Sequence, residues 1–447
     1  MGNTTCRDEQ RNVWRWTTQR VAFGDPLHRP GSVSVSRLLN PKCPGTQKNR
    51  SDYLEAMTKN AIFAVDMRPF LCLTIFLLAL FPMSGTAQEP LQGRVVDAET
   101  GEPLPYVSIF AGEGRRTLTN AEGDFKLEAE EGDALTFSCV GYKKARISAG
   151  KLPTVVRLKP YTTVMQEVTV QAKPYDEVLK QMIENLKQDY RWHGDWVRKY
   201  FFRTMMEKAE GTYIAEAFVR AYSVLNLREV EIISGLQGYD KDADKGKLGV
   251  NASNVHRLIE VGPLTAKSSF WSSAQKPLQH YSYLREYYDT QFRHLQDDEG
   301  NLIYRIDFSL KEKYKEEFSA NKPYITGTAY VDAGTCRLLR FDGSCKNYYM
   351  KMELIPYPTS IDFQLEYDYS KGAASVSHLV VSGGNALLTH RSLLFAIEGD
   401  KRLKGKKKGS GSNIVTALTE AGYDASLWSK YDIVRRTEEE ERVAFGK

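Results

Sequence analysis

The sequence is poor in cysteine and histidine, with six and seven of them among 447 residues. It contains no H-E-x-x-H, C-x-x-C, G-x-S-x-G or G-x-x-x-x-G-K-[ST] motif. These motifs carry zinc hydrolysis, thiol redox chemistry, serine hydrolysis and nucleotide binding. Their absence argues against the commoner hydrolases and nucleotide enzymes, and leaves open an acid–base site built from scattered residues. We predict no catalytic residue and no cofactor.

The sequence also lacks an apolar run long enough for a comfortable membrane span, which needs ~20 residues. Residues 70–81 form an apolar run of 12 residues, preceded by Met67-Arg68-Pro69 and followed by Gly85-Thr86-Ala87. A short basic start, an apolar centre and a small-x-small end predict a signal peptide at residues 67–87, cut after Ala87. Residues 1–66 precede it, and we interpret them in one of two ways. Either they are a disordered leader, or the translation start has been set too early and the protein begins at Met67.

An excess of positive charge is missing after this segment. The net charge of the chain is +5, yet residues 1–66 hold ten basic and six acidic residues, and residues 88–447 hold 50 of each. An excess of positive charge is the footprint of a nucleic-acid-binding protein. The balanced remainder therefore gives no support for a nucleic-acid partner.

Three cysteines remain after Ala87, and an odd number is not a disulfide framework. On one continuing strand, Cys336 and Cys345 would lie ~30 Å apart, whereas a bridge needs Cα atoms within ~7 Å. If the chain instead turned at Asp342-Gly343, Cys345 would face Arg340. Neither alternative brings the two thiols together.

Residues 88–173 contain short alternating segments separated by turn residues, which is typical of β-strands. The predicted strands are 91–97, 106–111, 115–119, 124–129, 134–140, 143–148 and 154–158. Seven short strands in about 85 residues predict a β-sandwich.

Four motifs in this segment occur in the order seen in the carboxypeptidase-like regulatory domain, which the segment resembles. They are Gly93–Asp97 with Thr100–Ile109, Thr117–Phe125 with Asn120 in place of the usual Asp, Leu135–Lys143, and Val164 with Glu167–Val170. The resemblance implies a transthyretin-like sandwich that serves as an accessory module. The H-x-x-E zinc motif of the carboxypeptidases themselves is missing. Asp97, Asn120 and Asp124 are either a small-ligand or Ca²⁺ site or caps of loops.

Residues 174–447 begin with apolar residues at helical spacing, which predict an amphipathic helix over 176–189. The predicted strands after it are 198–207, 212–225, 301–310, 324–332, 337–342, 360–369, 375–382 and 386–398, with turns at 332–335 and 383–385. We therefore predict a mainly β chain, in which the sandwich is followed by an α+β domain with a large antiparallel sheet.

Short motifs of this second domain resemble an envelope family of gram-negative bacteria that carries the same regulatory module. They are Asn185 with Tyr190, Tyr200–Thr204, Glu216-Ala217, Tyr304–Phe308 and Gly327–Asp332. The last motif also recurs in half-barrel lipoprotein carriers of the periplasm. The resemblance implies a location in the periplasm or at the outer membrane, and no activity.

His378 and His390 are the candidate metal ligands. If the hairpin turns at Gly384, the two residues face each other with Cβ atoms ~5 Å apart. Two imidazoles at this spacing can share a metal ion, although the sequence supplies no third ligand. The alternative is a plain polar cross-strand pair.

A basic loop is the candidate contact with an anionic surface, such as anionic lipid or lipopolysaccharide. The alternative is a solvated linker. Its residues are Lys401, Arg402, Lys404, Lys406, Lys407 and Lys408.

Three hypotheses for the function remain open. The first is an exported, non-catalytic envelope protein that binds a protein, lipid or glycan. The second is a carrier of an apolar ligand on a half-barrel sheet, and the third is a hydrolase with an unrecognised site. An apolar concavity would favour the carrier, and a buried cluster of acids or histidines at a strand end would favour the enzyme.

Overall fold

In the computed structural model of the chain, residues Thr86–Lys447 form one compact unit. The structure describes residues 90–112, 114–163, 174–191, 196–221, 230–248, 276–352, 355–369, 374–397, 401–402, 414–431 and 433–446. The predicted leader and signal peptide lie outside these residues, as does the Val164–Val170 motif.

The first part of the unit is a seven-stranded β-sandwich, as predicted. Its strands are β1 (Leu91–Asp97), β2 (Ser108–Ala111), β3 (Arg115–Leu118), β4 (Asp124–Leu127), β5 (Ala134–Ser138), β6 (Ala145–Ser148) and β7 (Val155–Leu158). They form two sheets, in the orders β4-β1-β7 and β3-β2-β5-β6. Phe125 and Phe137 fill the space between the sheets, with ring centroids 5.5 Å apart in an edge-to-face arrangement. Such a pair adds to the stabilisation from burying both rings.

The second part is built on one large sheet of 12 strands. Its strands are β8 (Thr162–Thr163), β9 (Trp196–Lys208), β10 (Gly211–Ala221), β11 (Val230–Tyr239), β12 (Tyr288–Gln296), β13 (Leu302–Leu310), β14 (Tyr324–Asp332), β15 (Leu338–Met352), β16 (Ile355–Asp368), β17 (Ser375–Gly384), β18 (Thr389–Ala396) and β19 (Lys401–Arg402). The order is β11-β10-β9-β18-β17-β16-β15-β14-β13-β12-β8, and β19 pairs with β9. The pairs within it are antiparallel, as predicted.

Eight helices of the described residues accompany this sheet: α1 (Tyr175–Arg191), α2 (Lys245–Leu248), α3 (Lys276–Gln279), α4 (Tyr281–Tyr287), α5 (Glu312–Asn321), α6 (Ile414–Ala421), α7 (Ala425–Lys430) and α8 (Glu438–Phe445). Helix α1 confirms the amphipathic helix predicted from its spacing. Strands β8, β11, β12 and β19 and helices α2 to α5 were not predicted. No helix among the described residues is both long and apolar enough to cross a membrane.

The two faces of the large sheet are covered by different parts of the chain. Along β9, Tyr200 and Phe202 belong to the apolar cluster that also contains residues of α1, α4 and α5. Phe201 lies between them and belongs to a separate cluster with Leu118 of the sandwich. Because side chains alternate between the faces of a strand, one face of the sheet packs against helices that include α6, and the other packs against the sandwich and the C-terminal segment, which begins with α7 at Ala425.

The hairpin between β17 and β18 turns later than predicted. Gly383 and Gly384 remain in β17, and the turn follows at 385–388. The side-chain oxygen of Asn385 accepts hydrogen bonds from the backbone N–H groups of Leu387 (2.8 Å) and Leu388 (3.1 Å). This is the local capping by which asparagine builds turns.

The two glycines serve close approach of neighbouring backbone. A Cβ at Gly383 would collide with the carbonyl oxygen of Ser360 on β16 and would lie 2.8 Å from the Cα of Ile361. The Gly383-Gly384 pair is therefore explained by the close contact with β16, and the turn itself lies after it.

We expect Gly383→Ala to destabilise the protein by about 1–3 kcal/mol, since neighbouring backbone must shift to admit the methyl group. The measurement is the free energy of unfolding in urea. The matched control is Gly132→Ala, because a Cβ at Gly132 meets no atom within 4 Å. Equal effects of the two substitutions would contradict the close approach.

Candidate functional site

A row of directly paired side chains runs across the face of the large sheet that carries the sandwich. Tyr330 pairs with Arg340, Arg340 with Glu366, Glu366 with His378, and His378 with Phe395. Directly paired residues point to the same face, with Cβ atoms about 5 Å apart. The row thus brings a cation, an acid and an imidazole together on three adjacent strands.

The sandwich is seated on this row. The Nη1 atom of Arg340 donates a hydrogen bond to the carbonyl oxygen of Val140 at 3.0 Å and lies 2.9 Å from the Sγ atom of Cys139. Next to these residues, a Cβ at Gly141 would be 3.3 Å from the ring of Tyr330. Strand β3 of the sandwich also contacts the row. The guanidinium of its Arg116 lies 4.9 Å from the ring centre of Phe395.

Burial is the largest influence on the pKa values of Glu366 and His378. It raises the pKa of Glu366 to about 7, against the opposing charge of Arg340 and a backbone hydrogen bond from Val140. It lowers the pKa of His378 to about 3, and the positive charges of Arg340 and Arg116 act in the same direction. At neutral pH the imidazole is therefore neutral, and the carboxyl group keeps its proton to a higher pH than an ordinary glutamate does.

The predicted pairing of His378 with His390 is wrong. The later turn places His378 opposite Phe395 and His390 opposite Gly383. His390 also pairs with Met206, which belongs to the helix-side cluster. The register differs from the predicted one by five residues, and because this number is odd the two imidazoles lie on opposite faces of the sheet.

Each histidine has its own surroundings. The Nε2 atom of His378 lies 3.0 Å from the Nε2 atom of Gln364. Burial lowers the pKa of His390 as well. Among the described residues, no group of three or more His, Cys, Asp or Glu side chains is arranged to hold a metal ion.

A buried ion network lies on the same face, one strand further. Arg203 of β9 and Glu216 of β10 are direct cross-strand partners, with Nε and Oε1 2.5 Å apart. The Nε atom of Arg436 donates to both oxygens of Glu216, at 3.0 Å from Oε1 and 3.1 Å from Oε2. Burial opposes the ionisation of Glu216, but the charges of Arg203 and Arg436 outweigh it and hold its pKa below the ordinary value.

Glu440 completes the network. Its Oε2 atom accepts from Nη1 of Arg203 at 3.0 Å and from the backbone N–H of Thr437 at 2.9 Å. The hydroxyl of Thr437 in turn accepts from the backbone N–H of Glu440, which completes a capping box at the start of α8. One carboxylate therefore begins the last helix and neutralises a buried arginine.

The sequence motifs contained two members of this network without indicating their contact. Arg203 and Glu216 belong to the Tyr200–Thr204 and Glu216-Ala217 motifs. Arg436 and Glu440 lie more than 200 positions further along the chain, in a stretch with no motif. The only signal for them was the spacing of Thr437 and Glu440, which fits the start of a helix.

The acidic and amide residues of the sandwich loops act as caps. The Oδ1 atom of Asp97 accepts from the backbone N–H groups of Glu99 (2.7 Å) and Thr100 (3.0 Å). The Oδ1 atom of Asn120 accepts from Glu122 and Asp124, both at 2.9 Å. These contacts support the capping alternative for both residues.

Of the basic loop, Lys401 and Arg402 form β19 and pair with Val197 and Trp196 of β9. Lys404, Lys406, Lys407 and Lys408 lie outside the described residues. Cys139, Cys336 and Cys345 are buried. Burial raises the pKa of Cys139 to about 11 and that of Cys345 to about 12, so neither is a ready thiolate.

We expect Glu216→Gln to destabilise the fold by about 3–5 kcal/mol, because it leaves two buried arginines without their shared counter-charge. The measurement is urea unfolding. The control is Glu128→Gln, which breaks the exposed pair with Arg115 and is expected to cost less than about 1 kcal/mol. A loss at Glu216 as small as that at Glu128 would show that the network contributes little.

His378→Gln is expected to flatten the acid side of the stability profile. The unfolded chain takes up a proton near the ordinary histidine pKa of 6.5, whereas the folded chain does so only near 3, so the native imidazole loses stability as the pH falls between these values. The difference in unfolding free energy between parent and variant should therefore shrink by about 2 kcal/mol from pH 6.5 to 4.5. The exposed His280→Gln is the control, and a difference independent of pH would refute the assignment.

Comparisons with known proteins complete this description. Among curated protein sequences, none matches the chain. Among solved structures, a lipovitellin structure described as lipid–protein interactions in lipovitellin is matched with 8% identity and a TM-score of 0.22. The match covers 49% of this chain and 27% of that one, so the chain spans about a quarter of lipovitellin.

Two bacterial structures are matched at similar levels. A putative outer membrane lipoprotein-sorting protein domain from Vibrio parahaemolyticus shows 11% identity and a TM-score of 0.21, covering 51% of this chain and 94% of that one. The Pseudomonas aeruginosa MucA/MucB complex shows 8% identity and a TM-score of 0.17, covering 52% of this chain and 99% of that one. Scores this low transfer neither a fold nor a function. The sequence match is more specific: residues 91–170, which contain the sandwich, match the CarboxypepD_reg-like domain.

Proposed function

We propose that this chain is an exported, non-catalytic binding protein of the gram-negative envelope, in which the sandwich and the large sheet work as one body. The observation that supports the proposal is the packing of the sandwich against the large sheet. Arg340 of the sheet binds Cys139 and Val140 of the sandwich, and Leu118 shares an apolar cluster with Phe201. A module fixed by buried polar and apolar contacts covers one face of the sheet and is not a loosely tethered accessory.

The titratable row supports a structural role over a catalytic one. Glu366 is the third residue from the end of β16 and His378 is the fourth residue of β17, and the sandwich packs against this face of both strands. Their exposures are 9% and 0%. A general acid or base must come within hydrogen-bonding distance of a substrate atom, and these side chains are covered by the chain itself.

The helix-side face of the sheet supports binding at the surface over carriage inside. Five apolar residues of α1 are at most 2% exposed and pack into the same cluster as Tyr200 and Tyr304 of the sheet: Val178, Leu179, Met182, Ile183 and Leu186. A carrier would have to move α1 away to admit an apolar ligand. The burial of these five side chains stabilises the closed arrangement by roughly 8–15 kcal/mol, at about 1.5–3 kcal/mol for each large side chain.

The proposal is tested in two steps, beginning with location. The full-length gene is expressed in a gram-negative cell and the fractions are probed for the chain. We expect a processed chain beginning at Gln88 in the periplasmic or outer-membrane fraction, and retention of the unprocessed chain when Leu77 and Leu78 are both replaced by arginine. Recovery of the parent only in the cytosol would contradict export.

The second step separates the three functions on the purified protein. We expect saturable binding to solubilised outer-membrane protein, to lipopolysaccharide or to peptidoglycan, without turnover. Tight one-to-one retention of a fluorescent long-chain fatty acid would instead establish a carrier. Hydrolysis of a panel of ester and amide substrates, lost in Glu366→Gln, would establish an enzyme.

A further inference from the structure

A small cavity lies where three parts of the chain meet. Its volume is about 20 Å³, which is room for the centre of one water-sized group. The sandwich, the large sheet and the C-terminal segment all contribute to its wall, through Tyr106, Asn120, Ala121, Arg203, Arg391, Leu393, Val434 and Glu440.

Asn120 presents an unused donor to this cavity. The residue is 2% exposed, and its Nδ2 atom is buried with no hydrogen-bond partner among the described residues. The orientation of the amide is determined by its other end, since Oδ1 accepts from two backbone N–H groups and an inverted amide would face them with its own hydrogens. The orphaned group is therefore a donor, and burying a donor without a partner destabilises the fold.

The cavity also has a surplus of positive charge. Two arginines and one glutamate line it. Arg203 and Glu440 neutralise each other at 3.0 Å. Arg391, on β18, lies between Met205 and Ser382 of the adjacent strands, and no carboxylate of the described part of the chain forms an ion pair with it. It is partly exposed, so a group entering from solvent can reach it.

We propose that this cavity is a binding site for the carboxylate group of a ligand. One carboxylate oxygen occupies the cavity and accepts from Nδ2 of Asn120, and the guanidinium of Arg391 supplies the opposite charge. A carboxylate accepts several hydrogen bonds and donates none, so it matches a buried donor beside an unmatched cation. Arginine binds carboxylates with paired, charge-assisted hydrogen bonds.

The site is independent of the proposed envelope role. It gives this chain a defined ligand chemistry at the joint between sandwich and sheet, and binding there would bridge the two parts. Its failure would leave the location and surface binding of the protein untouched, because those are measured separately.

The test is a titration of the ¹⁵N-labelled full chain, monitored by the side-chain NH₂ signals of Asn120. We expect saturable shifts with acetate and with N-acetyl-dialanine, and none with the C-terminal amide of that peptide. The acetate titration tests for binding of a free small carboxylate, and the N-acetyl-dialanine titration tests for binding of a peptide C-terminus. Saturable shifts with chloride alone would overturn the proposal. The absence of shifts with every ligand would also overturn it, because the cavity then holds only water.

Two variants and one control separate the site from the fold. Arg391→Gln is expected to weaken acetate binding at least tenfold, which corresponds to about 1.4 kcal/mol. Asn120→Asp keeps an oxygen for the two backbone donors and replaces the NH₂ group with a repelling oxygen, so it should abolish binding without unfolding the loop. The exposed Arg157→Gln should bind as the parent does. Unchanged affinity in Arg391→Gln, or in a folded Asn120→Asp followed through backbone amide signals, would refute the assignment.

Discussion

The burial of Glu216 is the constraint on which much of the remaining structure depends. Its carboxylate has no exposed surface, and the loss of water around a charge costs several kcal/mol unless counter-charges are close. Arg203 on the neighbouring strand supplies one, and Arg436 supplies the second from near the end of the chain. A fold that keeps this acid buried must therefore bring its last residues back onto its first long hairpin.

The same face of the sheet also has to accept the sandwich. Its exposed side would otherwise present a row of aromatic and charged groups to water, from Tyr330 to Phe395. The sandwich covers that row with one arginine, one thiol and a glycine whose missing side chain lets a tyrosine ring approach. The sandwich thus differs from a free-standing domain because part of its outer surface is buried against the large sheet. The residues that make this contact are not those that form the core of the sandwich.

Local pattern was enough to predict most strands, since alternation and turn residues act over a few positions. It failed where distant parts of the chain decide the outcome. Strand β11 contains Gly235 and Gly238, which normally mark a break in a strand. Here a Cβ would collide with Leu418 of α6 at the first and with the backbone of α8 at the second. The histidine pairing failed for a related reason, because glycines needed for contact with β16 resembled a turn. The ionic partners of Arg203 were beyond reach for any local pattern.

The dual use of Glu440 has a consequence for the order in which the molecule is completed. The chain is made from its N-terminus, so β9 and β10 exist long before residues 436–440 do. Until those residues arrive, the first hairpin holds one buried acid against one arginine, with the second cation and the helix cap both missing. The sheet can form early, but its most costly buried charges are balanced only when the final helix begins. Completion of this buried ion network therefore depends on Arg436 and Glu440, more than 200 positions after the hairpin whose charges they balance.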